Sequence, residues 1–143
     1  MFFKNYSYDD VGNRIASHRS ASYGYQSGQF NRIASTATAN YNYDANGNMT
    51  TKSEGKDLWR YTWDYENRLT MASTRKETVR YRYDALGRRV QRHFKGGKEN
   101  TKFIYDGQDV LADDNDGTLT KYINGQGIDN KLKIPLNGTA KYF

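Results

Sequence analysis

The stretch YRYDALGRRV (residues 81–90) places two tyrosines, an aspartate, a glycine and three arginines within ten positions. The pattern occurs again in both directions along the chain. Its other copies, some of them degraded, are YSYDDVGNRI (6–15), YGYQSGQFNRI (23–33), YNYDANGNMT (41–50), YTWDYENRLT (61–70) and FIYDGQDVLA (103–112). Because a catalytic site is normally built once, six copies in 143 residues indicate repeated architecture.

The first half of the pattern predicts a β-strand. Val79, Tyr81 and Tyr83 alternate with Arg80 and Arg82, which is a period of two residues. Side chains alternate between the two faces of a strand at this period. The sequence therefore predicts aromatic rings on one face of a sheet and guanidinium groups on the other.

The second half predicts a tight turn. An aspartate follows the second aromatic residue in most copies, and its short side chain can accept hydrogen bonds from backbone N–H groups of the turn. A later position holds glycine or asparagine, the residues that most readily take a positive φ, so we predict a left-handed residue that closes a hairpin. In the sixth copy the glycine stands beside the aspartate, which predicts a different turn. The predicted turn residues are Asp9, Gly12, Asn31, Asp44, Gly47, Asp64, Asn67, Asp84, Gly87, Asp106, Gly107 and Gly117.

Each copy also carries a pair of aromatic residues two positions apart. The pairs are Tyr6 and Tyr8, Tyr23 and Tyr25, Tyr41 and Tyr43, Tyr61 and Trp63, Tyr81 and Tyr83, and Phe103 and Tyr105. The second aromatics are 17 to 22 residues apart, which accommodates two strands of about five to seven residues and two turns. We therefore predict an all-β fold, a curved strip of antiparallel hairpins, with a repeat array over residues 1–112 and a final hairpin and trailer over 113–143.

The composition narrows the possible functions. Hydrophobic residues make up 36% of the chain, and 13 of them are tyrosines, which suit sheet faces better than a dry core. Cysteine is absent, so disulfides and thiolate metal sites are excluded. The net charge of +6 permits acidic partners. No apolar run approaches the roughly 20 residues of a membrane span, and the first ten residues become charged too early for a signal peptide.

The motif YxYDxxGR at a period near 20 resembles the YD repeat of the Rhs (rearrangement hotspot) family. Residues 81–129, which end in the trailer YINGQGID (122–129), resemble the Rhs-associated end of such an array. In that family the repeats wind a long sheet into a hollow shell around a C-terminal toxin, and teneurins use a similar shell for adhesion. Full-length members are typically secreted or lie at the cell surface.

The resemblance implies a non-catalytic segment of shell wall that needs no cofactor. Family members continue past the trailer into a D-x-x-G-S segment and a DPxG motif linked to self-cleavage, whereas this chain ends in GTAKYF (138–143). Neither self-cleavage nor a toxin activity is therefore implied. Six repeats are too few to close a shell, so we expect a fragment or a piece of wall.

Catalytic and metal-binding interpretations are weaker than structural ones. Asp9, Asp44, Asp64, Asp84 and Asp106 could supply carboxylate pairs for glycoside hydrolysis, but all occupy the same turn position, and Gln26 replaces the charge in one copy. His18 and His93 have no metal-ligating neighbours in the sequence. The acidic stretch DDNDG (113–117) fails the spacing of a calcium loop and is explained by an Asn-Asp-Gly turn.

Two binding interpretations remain open. Arg80, Arg82, Arg88, Arg89 and Arg92 interleave with aromatics, as in nucleic-acid binders, but acidic residues spread through the same repeats favour a solvated face. Rows of tyrosines could stack on sugar rings, so a polysaccharide-binding module is the alternative to the wall. The expected partners are therefore other YD repeats or a second copy through the sheet edges, a polysaccharide, or a toxin cargo in a full-length protein.

Overall fold

The computed structural model describes residues 4–28, 31–96, 99–124 and 131–135. All regular elements in these ranges are β-strands, and every strand pairs antiparallel with at least one neighbour along the chain. The all-β prediction of an antiparallel hairpin strip is confirmed. None of the described residues forms a helix with the length and hydrophobicity needed to cross a membrane. The chain divides into two compact units, Met1–Lys76 and Glu77–Phe143.

The first unit contains eight strands within the described residues. β1 and β2 form a two-stranded sheet, and β3 to β8 lie side by side in chain order. The strands are β1 (Tyr6–Tyr8), β2 (Arg14–Ser17), β3 (Tyr23–Tyr25), β4 (Ile33–Thr36), β5 (Ala39–Tyr43), β6 (Met49–Glu54), β7 (Asp57–Trp63) and β8 (Leu69–Ser73).

The second unit contains six strands in its described part, again side by side in chain order. They are β9 (Thr78–Tyr83), β10 (Arg89–Phe94), β11 (Asn100–Asp106), β12 (Asp109–Asn115), β13 (Thr118–Asn124) and β14 (Lys131–Pro135). Most of the trailer that resembles the Rhs-associated region, residues 125–129, lies outside the described residues. The division after residue 112, which was drawn from motifs, stays a prediction.

The pairing register changes where the strand enters the turn of a repeat. In β5, Asn42 pairs with Thr51, but the next residue, Tyr43, pairs with Met49. Equivalent shifts fall before Trp63 and before Tyr105. A hairpin closed by a residue with positive φ commonly ends in such a bulge, because the extra residue must be absorbed on one strand.

The two faces of the sheet carry different residues. Along β9, Tyr81 and Tyr83 lie on one face and Arg80 and Arg82 on the other, as the alternation predicted. On β10, however, Arg92 lies opposite Tyr81 and therefore shares the face of the rings, so the predicted separation does not extend to that strand. We call the side that carries the paired aromatics the aromatic face and the other side the polar face.

Neither unit has a second layer over its sheet within the described residues. Strands contact only their neighbours along the chain there, and no large side chain is fully buried. The buried hydrophobic residues are small or medium: Ala39, Ala72, Val79 and Ala112. Since a domain usually buries its apolar surface between two packed layers, the described sheet must be stabilised largely by hydrogen bonds and by contacts within one layer.

Candidate functional site

The aspartate after the second aromatic residue binds the backbone of its own turn. In the repeat of β9 and β10, the Asp84 N–H donates to the Arg88 carbonyl at 3.0 Å, and the Gly87 N–H donates to the Asp84 carbonyl at 3.0 Å. The Asp84 Oδ1 accepts from the N–H groups of Leu86 at 2.9 Å and Arg88 at 3.0 Å. Its Oδ2 accepts from Arg88 Nε at 2.7 Å. Both carboxylate oxygens are thus engaged inside the turn.

Three more turns repeat this arrangement. Asp9, Asp44 and Asp64 each accept, on Oδ1, the backbone N–H of the residue four positions later. On Oδ2, each accepts a hydrogen bond from the side chain of that same residue. The partners are Asn13, Asn48 and Arg68, respectively. The final turn position therefore needs a side chain that donates, and asparagine and arginine both do so.

A residue with positive φ precedes each of these partners. The values are 85° at Gly12, 55° at Asn31, 90° at Gly47, 60° at Asn67 and 78° at Gly87. Gly107 and Gly117, from the later turns, have φ of 58° and 88°. This is the conformation in which glycine and asparagine are least strained, so one backbone requirement accounts for the alternation of these two residues in the repeat.

Two copies depart from the common turn. Gln26 still makes the closing hydrogen bond, because its N–H donates to the Arg32 carbonyl at 2.9 Å. The loop of this copy is two residues longer than the loop of the common turn. In the sixth copy Asp106 pairs with Asp109, so Gly107 and one further residue form a two-residue turn. Positive φ at the first of two turn positions is the pattern of a II′ hairpin, in which an aspartate cap is not needed.

Hydrogen bonding within the turns keeps the aspartates ionised. Burial raises the pKa of Asp84, but the side chain and backbone N–H of Arg88 and the Leu86 N–H outweigh it, so the pKa lies below its ordinary value. At Asp44 burial is likewise outweighed, chiefly by hydrogen bonds from Asn48. A depressed pKa makes these carboxylates poor proton donors at neutral pH, which counts against a role as a catalytic general acid.

The second aromatic residues connect consecutive repeats. Four of them donate a polar hydrogen to a backbone carbonyl at the start of the return strand of the preceding repeat. We call this set the aromatic ladder: Tyr25 to the Arg14 carbonyl at 2.9 Å, Tyr43 to Ile33 at 2.8 Å, Trp63 Nε1 to Met49 at 2.8 Å, and Tyr105 to Arg89 at 2.9 Å. Tyr8 has no repeat before it in the described part of the chain, and 54% of it is exposed.

This ladder was missed by sequence reasoning, although the chain contains a signal for it. The second aromatic is tyrosine or tryptophan in all six copies and never phenylalanine, whereas Phe103 is accepted at the first position. Only a ring with an O–H or N–H can donate to a carbonyl. The exclusion of phenylalanine therefore marks the position that requires a hydrogen-bond donor.

The first aromatic residues make contacts that differ from copy to copy. Tyr6 meets His18 edge to face at 5.5 Å between ring centroids, and the Tyr23 hydroxyl lies 2.8 Å from Ser17 Oγ. Tyr61 stacks in parallel with Trp59, with centroids 6.4 Å apart. Tyr41 is half-buried on the aromatic face of β5. These contacts resemble ordinary packing within a sheet layer.

Several arginines lie beside aromatic rings instead of on the polar face. The Arg89 guanidinium lies 5.5 Å from the ring centroid of Tyr81 and 5.3 Å from that of Phe103. Arg88 similarly lies 4.8 Å from the centroid of Tyr105. These cation–π contacts cover ring surface that a sugar would need for stacking.

Acidic residues of the 113–117 stretch bind protein groups. The Tyr122 hydroxyl makes a short hydrogen bond to Asp113 Oδ2, the Gly117 N–H donates to Asp114 Oδ1 at 2.8 Å, and the Asn100 N–H donates to Asp116 Oδ2 at 3.1 Å. Burial, together with the bond to Asp113, raises the pKa of Tyr122 to about 12. The geometry is that of a hairpin connection, with Asp116 and Gly117 both at positive φ.

The histidines and acidic side chains of the described residues do not form a metal-binding cluster. The described residues contain no group of three or more histidine, aspartate or glutamate side chains that could hold a metal ion. His18 lies in the turn after β2, and His93 lies on the polar face of β10. Within each unit, the predicted turn residues form a series of similar hairpin turns.

Comparison with known proteins agrees with this geometry. The family model described as Teneurin YD-shell matches residues 3–113, which include all six copies of the repeat. A comparison with curated proteins finds no match to the chain. The matched region contains both the capped turns and the aromatic ladder, and it covers more than three quarters of the sequence. The chain belongs to the Teneurin YD-shell family of structural β-repeat proteins.

Proposed function

We propose that this chain is a wall segment of a larger YD-repeat shell, and that the complete shell encloses a C-terminal toxin or effector. The observation that carries the proposal is the aromatic ladder, because it connects consecutive repeats within each unit and so can continue for as long as repeats are added. The capped turns perform no chemistry beyond closing hairpins.

The single-layer sheet supports the same role. A sheet with no layer on either face within the described residues leaves aromatic surface that further protein must cover. A wall that surrounds a cargo presents one face to that cargo and the other to solvent. The proposal thus explains why the repeats form hairpins but no closed hydrophobic core.

A panel of activity assays tests whether the segment is non-catalytic. The purified chain is incubated with RNA, DNA, casein and cell-wall glycans, and we expect no turnover above that of a heat-denatured control. Turnover that persists through purification and disappears in Asp84→Asn would contradict the proposal. Asp114→Asn is the matched control, because it changes one aspartate outside the capped turns of the repeat.

The enclosed effector is tested in the genome and in the full gene product. If the wall proposal is correct, the coding sequence downstream should encode an effector domain and an immunity protein that neutralises it. Limited proteolysis of the complete product should then leave the effector intact until the YD repeats are unfolded. Rapid digestion of the effector beside intact repeats would show that the repeats do not enclose it.

Carbohydrate binding is a second candidate function, supported by one observation. Trp59 and Tyr61 present two parallel rings on the aromatic face of β7, which is an arrangement on which a sugar ring can stack. A glycan array with Trp59→Ala as the variant tests it, and Leu58→Ala on the opposite face is the control. If the array retains the wild type and both variants equally, or retains none of them, the two rings are not a sugar-binding site.

A further inference from the structure

The copies of a repeat can be compared with one another, because a feature that occurs in every copy is explained by the fold that the copies share. On the polar face, the residues before each paired aromatic occupy equivalent positions. In the copy of β5 these are Asn40 and Asn42, whereas in the copy of β9 they are Arg80 and Arg82. The β5 copy shows that the fold does not require cations there.

The return strands differ in the same way. Thr51 and Ser53 on β6 are equivalent to Gln91 and His93 on β10, since each pair follows its capping aspartate by seven and nine residues. In the earlier copy Asn42 Nδ2 donates to Thr51 Oγ1 at 2.7 Å, so the neutral residues bind each other. The polar face of β9 and β10 instead brings cations side by side.

Four of these residues line one depression of about 340 Å³: Arg80, Arg82, Gln91 and His93. The register places Arg80 opposite His93 and Arg82 opposite Gln91. Within the described residues, none of these side chains has a hydrogen bond or an ion pair to another group. Arg80 and Arg82 lie two positions apart on one face of β9, which is about 7 Å along the strand, so two positive charges lie close together in the depression.

The surroundings add positive charge and little negative charge. Lys102 on β11 lies opposite Gln91 and extends the polar face with a further cation. Across the sheet, Asp114 lies opposite Lys102, and its Oδ1 is engaged by the Gly117 N–H. Asp116 Oδ2 accepts the N–H of Asn100, the residue opposite His93. Like charges that lie close together repel each other. A ligand that neutralises them would remove that repulsion.

We propose that this depression, the β9–β10 basic site, binds a phosphate group of a ligand. Each arginine offers a planar set of N–H donors that matches a phosphate in bidentate fashion, and glutamine and histidine add neutral or charged donors beside them. A carboxylate has two acceptor oxygens, whereas a phosphate presents three and carries more charge. The number of converging donors therefore favours phosphate.

The site is tested by calorimetric titration of the full chain with inorganic tripolyphosphate at neutral pH and moderate salt. The variant Arg80→Asn/Arg82→Asn/His93→Ser restores the residues that the chain itself uses at positions 40, 42 and 53. We expect its affinity to fall by about tenfold or more, because charge-assisted hydrogen bonds are lost. Its melting temperature without ligand should equal or exceed that of the wild type.

A charge-matched control separates a built site from general attraction. Arg60→Asn/Arg75→Asn removes two arginines from the first unit and should leave the affinity for tripolyphosphate within about twofold, since long-range attraction is screened by salt. If the triple variant does not fold, the single variant Arg82→Thr replaces it, because threonine is the residue at the equivalent position 62 of β7. This variant by itself should show the loss of affinity for tripolyphosphate.

Several outcomes would overturn the inference. Absence of binding by the wild type, or equal losses in the triple variant and the charge-matched control, would show that no defined site exists. Displacement of tripolyphosphate by equimolar sodium sulfate would indicate a sulfate site instead of a phosphate site. All of these outcomes are independent of the wall proposal, because the turns and the aromatic ladder are intact in every variant.

Discussion

At the scale of single residues, the fold of this protein depends on a few tight hairpin turns. A carboxylate that accepts two N–H groups of its own turn, followed by a residue with positive φ, closes the hairpin in four of the copies. The same requirement explains why Gly87 and Asn67 can exchange, while other residue types would be strained. Two predictions follow directly from this geometry.

Replacement of Gly87 by valine should destabilise the second unit. The φ of 78° is strained for a β-branched residue by about 1–3 kcal/mol or more. Ala85→Val is the matched control, because it adds the same side chain to an exposed position of the same turn. Thermal unfolding measures both variants. An unchanged midpoint for Gly87→Val would mean that this turn does not need its left-handed residue.

Acid should weaken the fold through the capped turns. The pKa values of Asp9, Asp44, Asp64 and Asp84 are lowered in the folded chain, so these groups stabilise it fully above the unfolded pKa near 3.9. This stabilisation is lost as the pH falls through the lower folded pKa values. Urea unfolding across this range should show the decline, and the combined variant Asp44→Asn/Asp64→Asn/Asp84→Asn should show a shallower one. A pH profile identical to the wild type would contradict this assignment.

At the scale of strands and hairpins, the aromatic ladder sets how one repeat follows another. A hairpin of two strands is marginal by itself, so each copy must gain stability from its neighbours. The donated O–H or N–H satisfies a backbone carbonyl of the preceding repeat, and the register shift beside it turns the ring toward that carbonyl. The ladder therefore allows each added repeat to gain stability from the repeat before it.

Removal of one ladder hydroxyl tests this role. Tyr43→Phe deletes the donor to the Ile33 carbonyl at 2.8 Å and should lower the free energy of unfolding by about 1 kcal/mol. Tyr41→Phe, on the same strand and face, deletes a hydroxyl from outside the ladder and should have a smaller effect. Chemical denaturation measures both. Equal losses in the two variants would show that the hydroxyl at position 43 has no special role.

At the scale of the whole molecule, the described sheets have no second layer, and their outermost strands pair on one side. β14 pairs with β13 alone among the described strands, which leaves hydrogen-bonding groups on its other edge. Open edges and uncovered aromatic surface favour pairing with another chain. In a shell, these groups would be covered by further repeats.

The isolated chain should therefore self-associate. Sedimentation velocity over a concentration series should show a mass above that of the monomer that rises with protein concentration. Because edge pairing depends on backbone hydrogen bonds and apolar contact, added salt should not dissolve the assemblies. A species that stays monomeric at every concentration would contradict the view that the sheet is an incomplete wall.

The sequence by itself determined the repeat, the strands with alternating side chains and the hairpin turns, because these features depend on residues close together in the chain. The separation of Tyr81 from Arg80 and the left-handed φ of Gly87 are local consequences of strand and turn chemistry. The trailer and the boundary after residue 112 depend on motif resemblance and stay predictions.

The tertiary structure alone decided which groups meet between repeats. The register between neighbouring hairpins brings Tyr43 to the Ile33 carbonyl and Arg89 to the ring of Phe103. The register within the β9–β10 hairpin gathers Arg80, Arg82 and His93 in one depression. Single-residue bulges change that register, and a shift of one position would move each side chain to the other face. Propensities along one strand do not encode this alignment, so it becomes visible only once neighbouring hairpins have paired.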